Sequence, residues 1–243
     1  MATYTIALAG NPNTGKSTLF NSLTGMRQHT GNWAGKTVDS AEGYFDYEGV
    51  TYKMVDLPGT YSLYSNSADE EAARNYIIFE QPDVTIVVLD ATSLERNLNL
   101  ALQVLEMTNR VVVCINLMDE ARRLGIHINL KKMEQKLGVP TVAVSARHKT
   151  GYDKLLSYVY QVASGAVDPK PVTITYHNDI EEKIRQLEPS ITELIGNKLP
   201  ARWIALRLLD GDKSLLDALK QWLMQEKPDT SKEVLTYGQT VSH

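Results

Sequence analysis

The chain has 243 residues, of which 43% are hydrophobic and 22% charged, and its formal net charge is −4. That length holds one large domain or one domain with a smaller companion, and the charge exerts no pull toward nucleic acid. A single cysteine, Cys114, excludes an intrachain disulfide and suits a reducing compartment, while a run of about 18 apolar residues that could span a membrane is missing, as are the charged and apolar regions of a signal peptide at the N-terminus.

In chain order, strands are predicted over 3–9, 36–47, 50–56, 83–90, 110–116 and 139–144, and helices over 16–23, 68–79, 94–107, 130–137 and 151–162. Val84, Ile86, Val87, Val88 and Leu89 form a near-continuous apolar run, as do the residues from Val111 to Ile115 around Cys114. Strands without alternation are covered on both faces, which predicts a mostly parallel sheet with helices on each side. Glu48-Gly49 separates two strand-like segments and reads as a hairpin turn, so one edge strand should be antiparallel. Leu94, Leu98, Ala101, Leu102 and Leu105 fall at helical spacing behind Ser93, an expected N-cap. Composition shifts at 165–171, rich in Gly and Pro, which reads as a linker. Three helical patterns follow, over 179–187, 202–209 and 214–223, with Trp203 and Trp222 as core anchors. The expected division is 1–165 and 166–243, the last dozen residues fraying.

Residues 10–17 read G-N-P-N-T-G-K-S between an apolar strand and a helix, the context a phosphate-binding loop requires. Glycines let successive backbone N–H groups turn toward one anion at a helix N-terminus. The nucleotide-facing set here is Gly10, Asn11, Asn13, Thr14, Gly15, Lys16, Ser17 and Thr18, with Lys16 on the β- and γ-phosphates and the Ser17 hydroxyl on Mg²⁺. Asp56-Leu57-Pro58-Gly59 matches D-x-x-G: Asp56 would hold Mg²⁺ through a water, and the Gly59 N–H would meet the γ-phosphate. Asn116-Leu117-Met118-Asp119 resembles N-K-x-D, in which a carboxylate accepts both N1–H and N2–H₂ of guanine. Adenine offers no such donor pair. Ser145-Ala146-Arg147 resembles the S-A-x loop that meets the guanine carbonyl. Between these lies 31–38, where Gly35, Lys36 and Thr37 face the nucleotide and Thr37 is the switch threonine for Mg²⁺ and the γ-phosphate; Trp33 is there either as an anchor or with a functional role. The Asp119 carboxylate should therefore favour GTP or GDP over adenine nucleotides, and because Leu117 replaces the usual lysine, affinity should be modest and release fast. Asn75 and Tyr76 fall in an expected second switch.

The segments 10–21, 31–38, 56–63 and 90–98, which read G-N-P-N-T-G-K-S-T-L-F-N, G-N-W-A-G-K-T-V, D-L-P-G-T-Y-S-L and D-A-T-S-L-E-R-N-L, together resemble the cytoplasmic G domain of the FeoB ferrous iron transporters of bacteria. The resemblance implies an α/β, Ras-like P-loop GTPase fold with a mostly parallel sheet and helices on both faces, followed by a small all-helical domain of the dissociation-inhibitor or spacer kind. It implies a slow GTPase coupled to Fe²⁺ passage. Its partner would be the membrane permease region of the full-length protein, at the cytoplasmic face of the inner membrane, with this chain by itself soluble. Asn11 matches the asparagine associated with K⁺-stimulated hydrolysis, so Lys16, Thr37, Gly59 and Asn11 form the expected catalytic set. Thr60 stands where Ras-like proteins place a water-orienting glutamine and is too short for that role.

Two other readings stay open. One is an Era-like, RNA-associated GTPase, although residues 166–243 carry ten Lys or Arg and twelve Asp or Glu, net −2, which opposes an RNA-binding appendage. The other is a nucleotide-dependent interaction module with little hydrolysis. Self-association into a homo-oligomer is compatible with each. His29, His127, His148, His177 and His243 show no ligand spacing, and Asp69-Glu70-Glu71 reads as a solvated helix start, so iron ligation by this chain is not expected.

Overall fold

The computed structural model describes residues 3–25, 28–32, 39–64 and 67–226. Contacts divide the chain into Met1–Ile174 and Thr175–His243. In the first unit, the apolar runs become strands buried along nearly their whole length. The strands are β1 (Thr3–Gly10), β2 (Gln28–Asn32), β3 (Asp39–Tyr47), β4 (Val50–Asp56), β5 (Val84–Asp90), β6 (Val111–Asn116) and β7 (Thr141–Ala143), in sheet order β2-β3-β4-β1-β5-β6-β7. From β4 to β7 the neighbours run parallel. The helices are α1 (Lys16–Thr24), α2 (Ala68–Asn75), α3 (Leu94–Met107), α4 (Met118–Arg123), α5 (Leu130–Leu137) and α6 (Tyr152–Ala163). One sheet face packs Ile6, Leu8, Ile86, Val88 and Val112 against Leu19 and Phe20 of α1 and Leu155 and Val159 of α6. The opposite face is covered by α3, through buried Leu100, Ala101, Val104 and Leu105. Cys114 lies within this core, and burial pushes its thiol up to about 12.

Glu48 and Gly49 both take positive φ and turn β3 into β4 with Tyr47 opposite Val50, as the hairpin reading requires. The antiparallel strand is not the edge, however. β2 pairs outside β3, also antiparallel, so β3 alone runs against the sheet. Gln28-His29-Thr30-Gly31-Asn32 has no apolar alternation to mark it as a strand; its ladder with β3 makes it one. The 36–47 prediction is met over Asp39–Tyr47. The helix predicted over 68–79 is α2 followed by a π-helical turn at Tyr76–Glu80, a form that concentrates at functional positions. Ser93 occupies the N-cap of α3, but its hydroxyl makes no cap bond. The predicted 139–144 strand shortens to β7, and α4 follows β6 unannounced. Residues in the Gly- and Pro-rich stretch are tied to the first unit: Lys170 N–H donates to the Gly138 carbonyl at 3.0 Å and Val172 N–H to the Leu137 carbonyl at 2.9 Å.

The second unit holds α7 (Asn178–Ile195), α8 (Ala201–Leu209) and α9 (Lys213–Glu226). α7 continues through Pro189, past the predicted end, because Ile184, Ile191 and Ile195 keep one apolar face buried and that burial offsets the lost backbone bond. Trp203 is buried and Trp222 half-buried. Glu181 accepts both Arg202 guanidinium nitrogens, at 2.9 and 2.7 Å, and the Tyr176 N–H at 2.8 Å. No described helix is long and apolar enough to cross a membrane.

Candidate functional site

The carboxyl ends of β1, β4, β6 and β7 bring the sequence motifs to one edge of the parallel sheet, where folds of this kind bind ligands. The glycine loop leaves β1 at Gly10, where a side chain would meet the Val88 carbonyl at 2.8 Å. Its last residue, Gly15, has φ +80 as N-cap of α1, and a Cβ there would fall on the Asn116 amide nitrogen. Both constraints select glycine. Asn13 also takes a positive φ of 67, and Thr14 Oγ1 donates to the Asn11 carbonyl at 2.9 Å. Such alternation turns backbone N–H groups into a concave anion nest. Ser17 and Thr18 are exposed on the first turn of α1. Asn11 is 2% exposed, yet neither its Oδ1 nor its Nδ2 has a hydrogen-bond partner. A buried amide left unpaired is costly, so this one is suited to a ligand.

Asp56 ends β4 beside this loop. The buried Lys16 ammonium donates to Asp56 Oδ1 and, at 2.7 Å, to the Leu57 carbonyl. Burial raises the Asp56 pKa, and the Lys16 charge opposes that rise. Gly59 follows on the turn, with its Cβ position 3.5 Å from the Pro12 nitrogen, so D-L-P-G rests against the phosphate loop. Thr60 is buried.

Asn116 joins the two ends of the site. Its Nδ2 donates to the Thr14 carbonyl at 2.9 Å and its Oδ1 accepts the Ala146 N–H at 2.9 Å. Leu117, at φ 61, starts α4 and packs toward Gly15. Met118 is half-buried, its N–H donating to the Val144 carbonyl at 3.3 Å. Asp119 Oδ1 accepts from the Ser145 hydroxyl at 2.8 Å. That bond is the main reason its pKa lies below the ordinary carboxylate value. Arg147 is exposed on the short turn after Ser145 and Ala146. Sequence reasoning missed one contact here: His148 Nε2 stands 3.5 Å from Asp119 Oδ2, a pairing visible only once the 145–150 loop closes through the Ser145–Thr150 bridge.

Gly35, Lys36 and Thr37, with Trp33, lie outside the described residues. Among the described residues no group of three or more His, Cys, Asp or Glu side chains could hold a metal ion.

Comparison with known proteins gives consistent matches. The family model for ferrous iron transport protein B matches residues 4–159, and that for the FeoB cytosolic helical domain matches 176–240. The Fe(2+) transporter FeoB of Methanocaldococcus jannaschii is 44% identical over 225 residues, which is 90% of this chain and 32% of that protein. The Escherichia coli K12 transporter of the same name is 36% identical over 87% of this chain and 27% of its own length. The chain thus spans about a quarter to a third of these relatives. The cytosolic domain of the T. maritima FeoB iron transporter, solved in a GDP form, superposes with a TM-score of 0.82 at 32% identity, covering 99% of this chain and 97% of that one.

Proposed function

The chain belongs to the ferrous iron transport protein B family, and on that premise we propose that it binds GTP and GDP, hydrolyses GTP slowly, and couples its nucleotide state to Fe²⁺ uptake by a full-length transporter. The observation that carries this reading is the convergence of the glycine nest, the Lys16–Asp56 pair and the Ser145-supported Asp119 carboxylate at one sheet edge. Residues 10–18 grip the phosphates, with Lys16 exchanging Asp56 for phosphate oxygen. Asp119, aided by Asn116, Met118 and the 145–147 loop, reads guanine. The helical unit is the spacer through which this state reaches the membrane permease region.

Two cations fit the donors present. Ser17 and Asp56 are oxygen donors of the type Mg²⁺ prefers, with Thr37 as the third protein group; the ion would neutralise phosphate charge. The orphaned Asn11 Oδ1 suits K⁺. A monovalent cation there would stabilise developing charge as an arginine finger does, though by less than the finger's roughly 10³–10⁵ in rate. Lys16 and the Gly59 N–H supply the remaining positive character, and water is positioned by backbone groups because Thr60 cannot reach.

Phosphate release with GTP and with ATP, in KCl and in NaCl, tests the reading. GTP should turn over, faster in KCl, and Asn11→Ala should lose the salt difference. Equal rates in both salts would remove the potassium element. Turnover of ATP at the rate of GTP would remove the assignment of base specificity.

A further inference from the structure

The segment after D-L-P-G is held at three successive residues. Gln103 Oε1, on α3, accepts the Leu63 N–H at 2.7 Å in a buried bond. Arg96, also on α3, sets its guanidinium carbon 4.4 Å from the centre of the Tyr61 ring. Ser62 Oγ donates to Glu70 of α2 at 2.7 Å. Arg96 and Gln103 are seven residues apart, about two helical turns, and so share one face of α3. The start of α3 is itself pinned, since buried Asn97 accepts the Asp90 N–H at 3.3 Å and donates to the Ser93 carbonyl at 2.8 Å. The next residue along, Ala91, donates to the Asn116 carbonyl at 3.0 Å. Gln103 Nε2, by contrast, is buried with no hydrogen-bond partner. A leucine would avoid that desolvation cost, so the feature put to use at this position is the acceptor oxygen.

We propose that Gln103 and Arg96 are positioning residues for GTP hydrolysis: they seat residues 61–63 on α3 and thereby keep Gly59 against the phosphate loop. Neither reaches the nucleotide; each acts through the D-L-P-G turn, whose Gly59 already lies beside Pro12. The D-A-T-S-L-E-R-N-L segment then acquires a use, with Asn97 fixing the helix that Arg96 works from. The inference rests on the GTPase reading above.

The test uses the full chain with Gln103→Leu, Gln103→Glu, Arg96→Ala and Arg96→Lys. The quantities measured are kcat and KM for GTP, affinity for a fluorescent GDP, hydrogen exchange at the Leu63 amide, and the thermal midpoint. Gln103→Leu should lower kcat about tenfold while GDP affinity stays within about twofold, the pattern of an interaction that acts on the transition state rather than on binding. Its Leu63 amide should exchange faster, and Gln103→Glu, which keeps an acceptor oxygen, should restore both. Arg96→Ala changes an exposed side chain and should lower kcat about threefold with the thermal midpoint unchanged, Arg96→Lys recovering part, because an exposed cation–π contact is the weaker tie. Unchanged kcat in Gln103→Leu, or kcat and GDP affinity falling together, would overturn the proposal. If the wild-type chain releases no phosphate, the GTPase reading fails separately, and unaltered Leu63 exchange in Gln103→Leu would show that the seat itself is absent.

Discussion

Replacing Asp119 with asparagine probes the base site with the least change in shape. The Ser145 hydroxyl can still donate to the remaining oxygen, but one acceptor of the carboxylate becomes an N–H₂ donor aimed at the donors of guanine. Two charge-assisted bonds at about 1.5–3 kcal/mol each are at stake. The carboxylate is 27% exposed, so the lower end applies. The pair then contributes about 3 kcal/mol, or roughly a hundredfold in Kd. Xanthine carries an oxygen where guanine carries its 2-amino group, and the same asparagine N–H₂ should donate to it. Titrations of Asp119→Asn with fluorescent GDP, XDP and ADP near neutral pH should therefore show GDP weakened about a hundredfold, XDP strengthened, and ADP unchanged. A GDP loss of less than about threefold, with no gain for XDP, would mean that Asp119 does not read the base and that specificity resides elsewhere.

Gly15→Ala should abolish measurable GDP binding in the same titration, since φ +80 is strained for alanine and the added carbon meets the Asn116 amide; retained binding would show that the loop can open elsewhere. Thr60→Ala should change GTP turnover by less than about tenfold, roughly 1.4 kcal/mol, and a larger loss in a phosphate-release assay would make Thr60 part of the catalytic machinery. In the helical unit, the Arg202 bonds and then the Tyr176 N–H pull the Glu181 carboxyl from 4.5 down to about 2. A depressed carboxylate stabilises the fold above its unfolded pKa and loses that contribution as pH falls through the folded value. Thermal unfolding curves of wild type and Glu181→Gln should thus differ above pH 4.5 and converge toward pH 2; a constant gap would refute the linkage.

Much of this architecture was legible because its signals are local. The near-continuous apolar runs at 84–89 and 111–115 fix buried parallel strands, and the periodic leucines of α3 placed both of its ends correctly. Elements that depend on a neighbouring element rather than on their own residues escaped. β2 is a polar pentapeptide that becomes a strand only because β3 lies beside it. The continuation of α7 through Pro189 depends on burial that a local breaker signal outranks. At the site, the positions of the 10–17, 56–59, 116–119 and 145–147 motifs at strand ends could be read from the sequence, but the contacts between them could not. Asn116 grips residues 102 and 30 positions away, and Gln103 meets Leu63 across 40. The empty hydrogen-bonding capacity of Asn11 likewise depends on how completely its neighbours enclose it.

The Asn116 side chain has a broader consequence. Because one short amide is hydrogen-bonded both to the Thr14 turn, proposed to hold the phosphates, and to the Ala146 loop, proposed to meet the base, it acts as a ruler laid along the cleft. The span between the two ends is set by these two hydrogen bonds within the protein. On the proposed function a nucleotide must match that span, and molecules with the correct hydrogen-bonding groups at the wrong separation would be turned away by length alone.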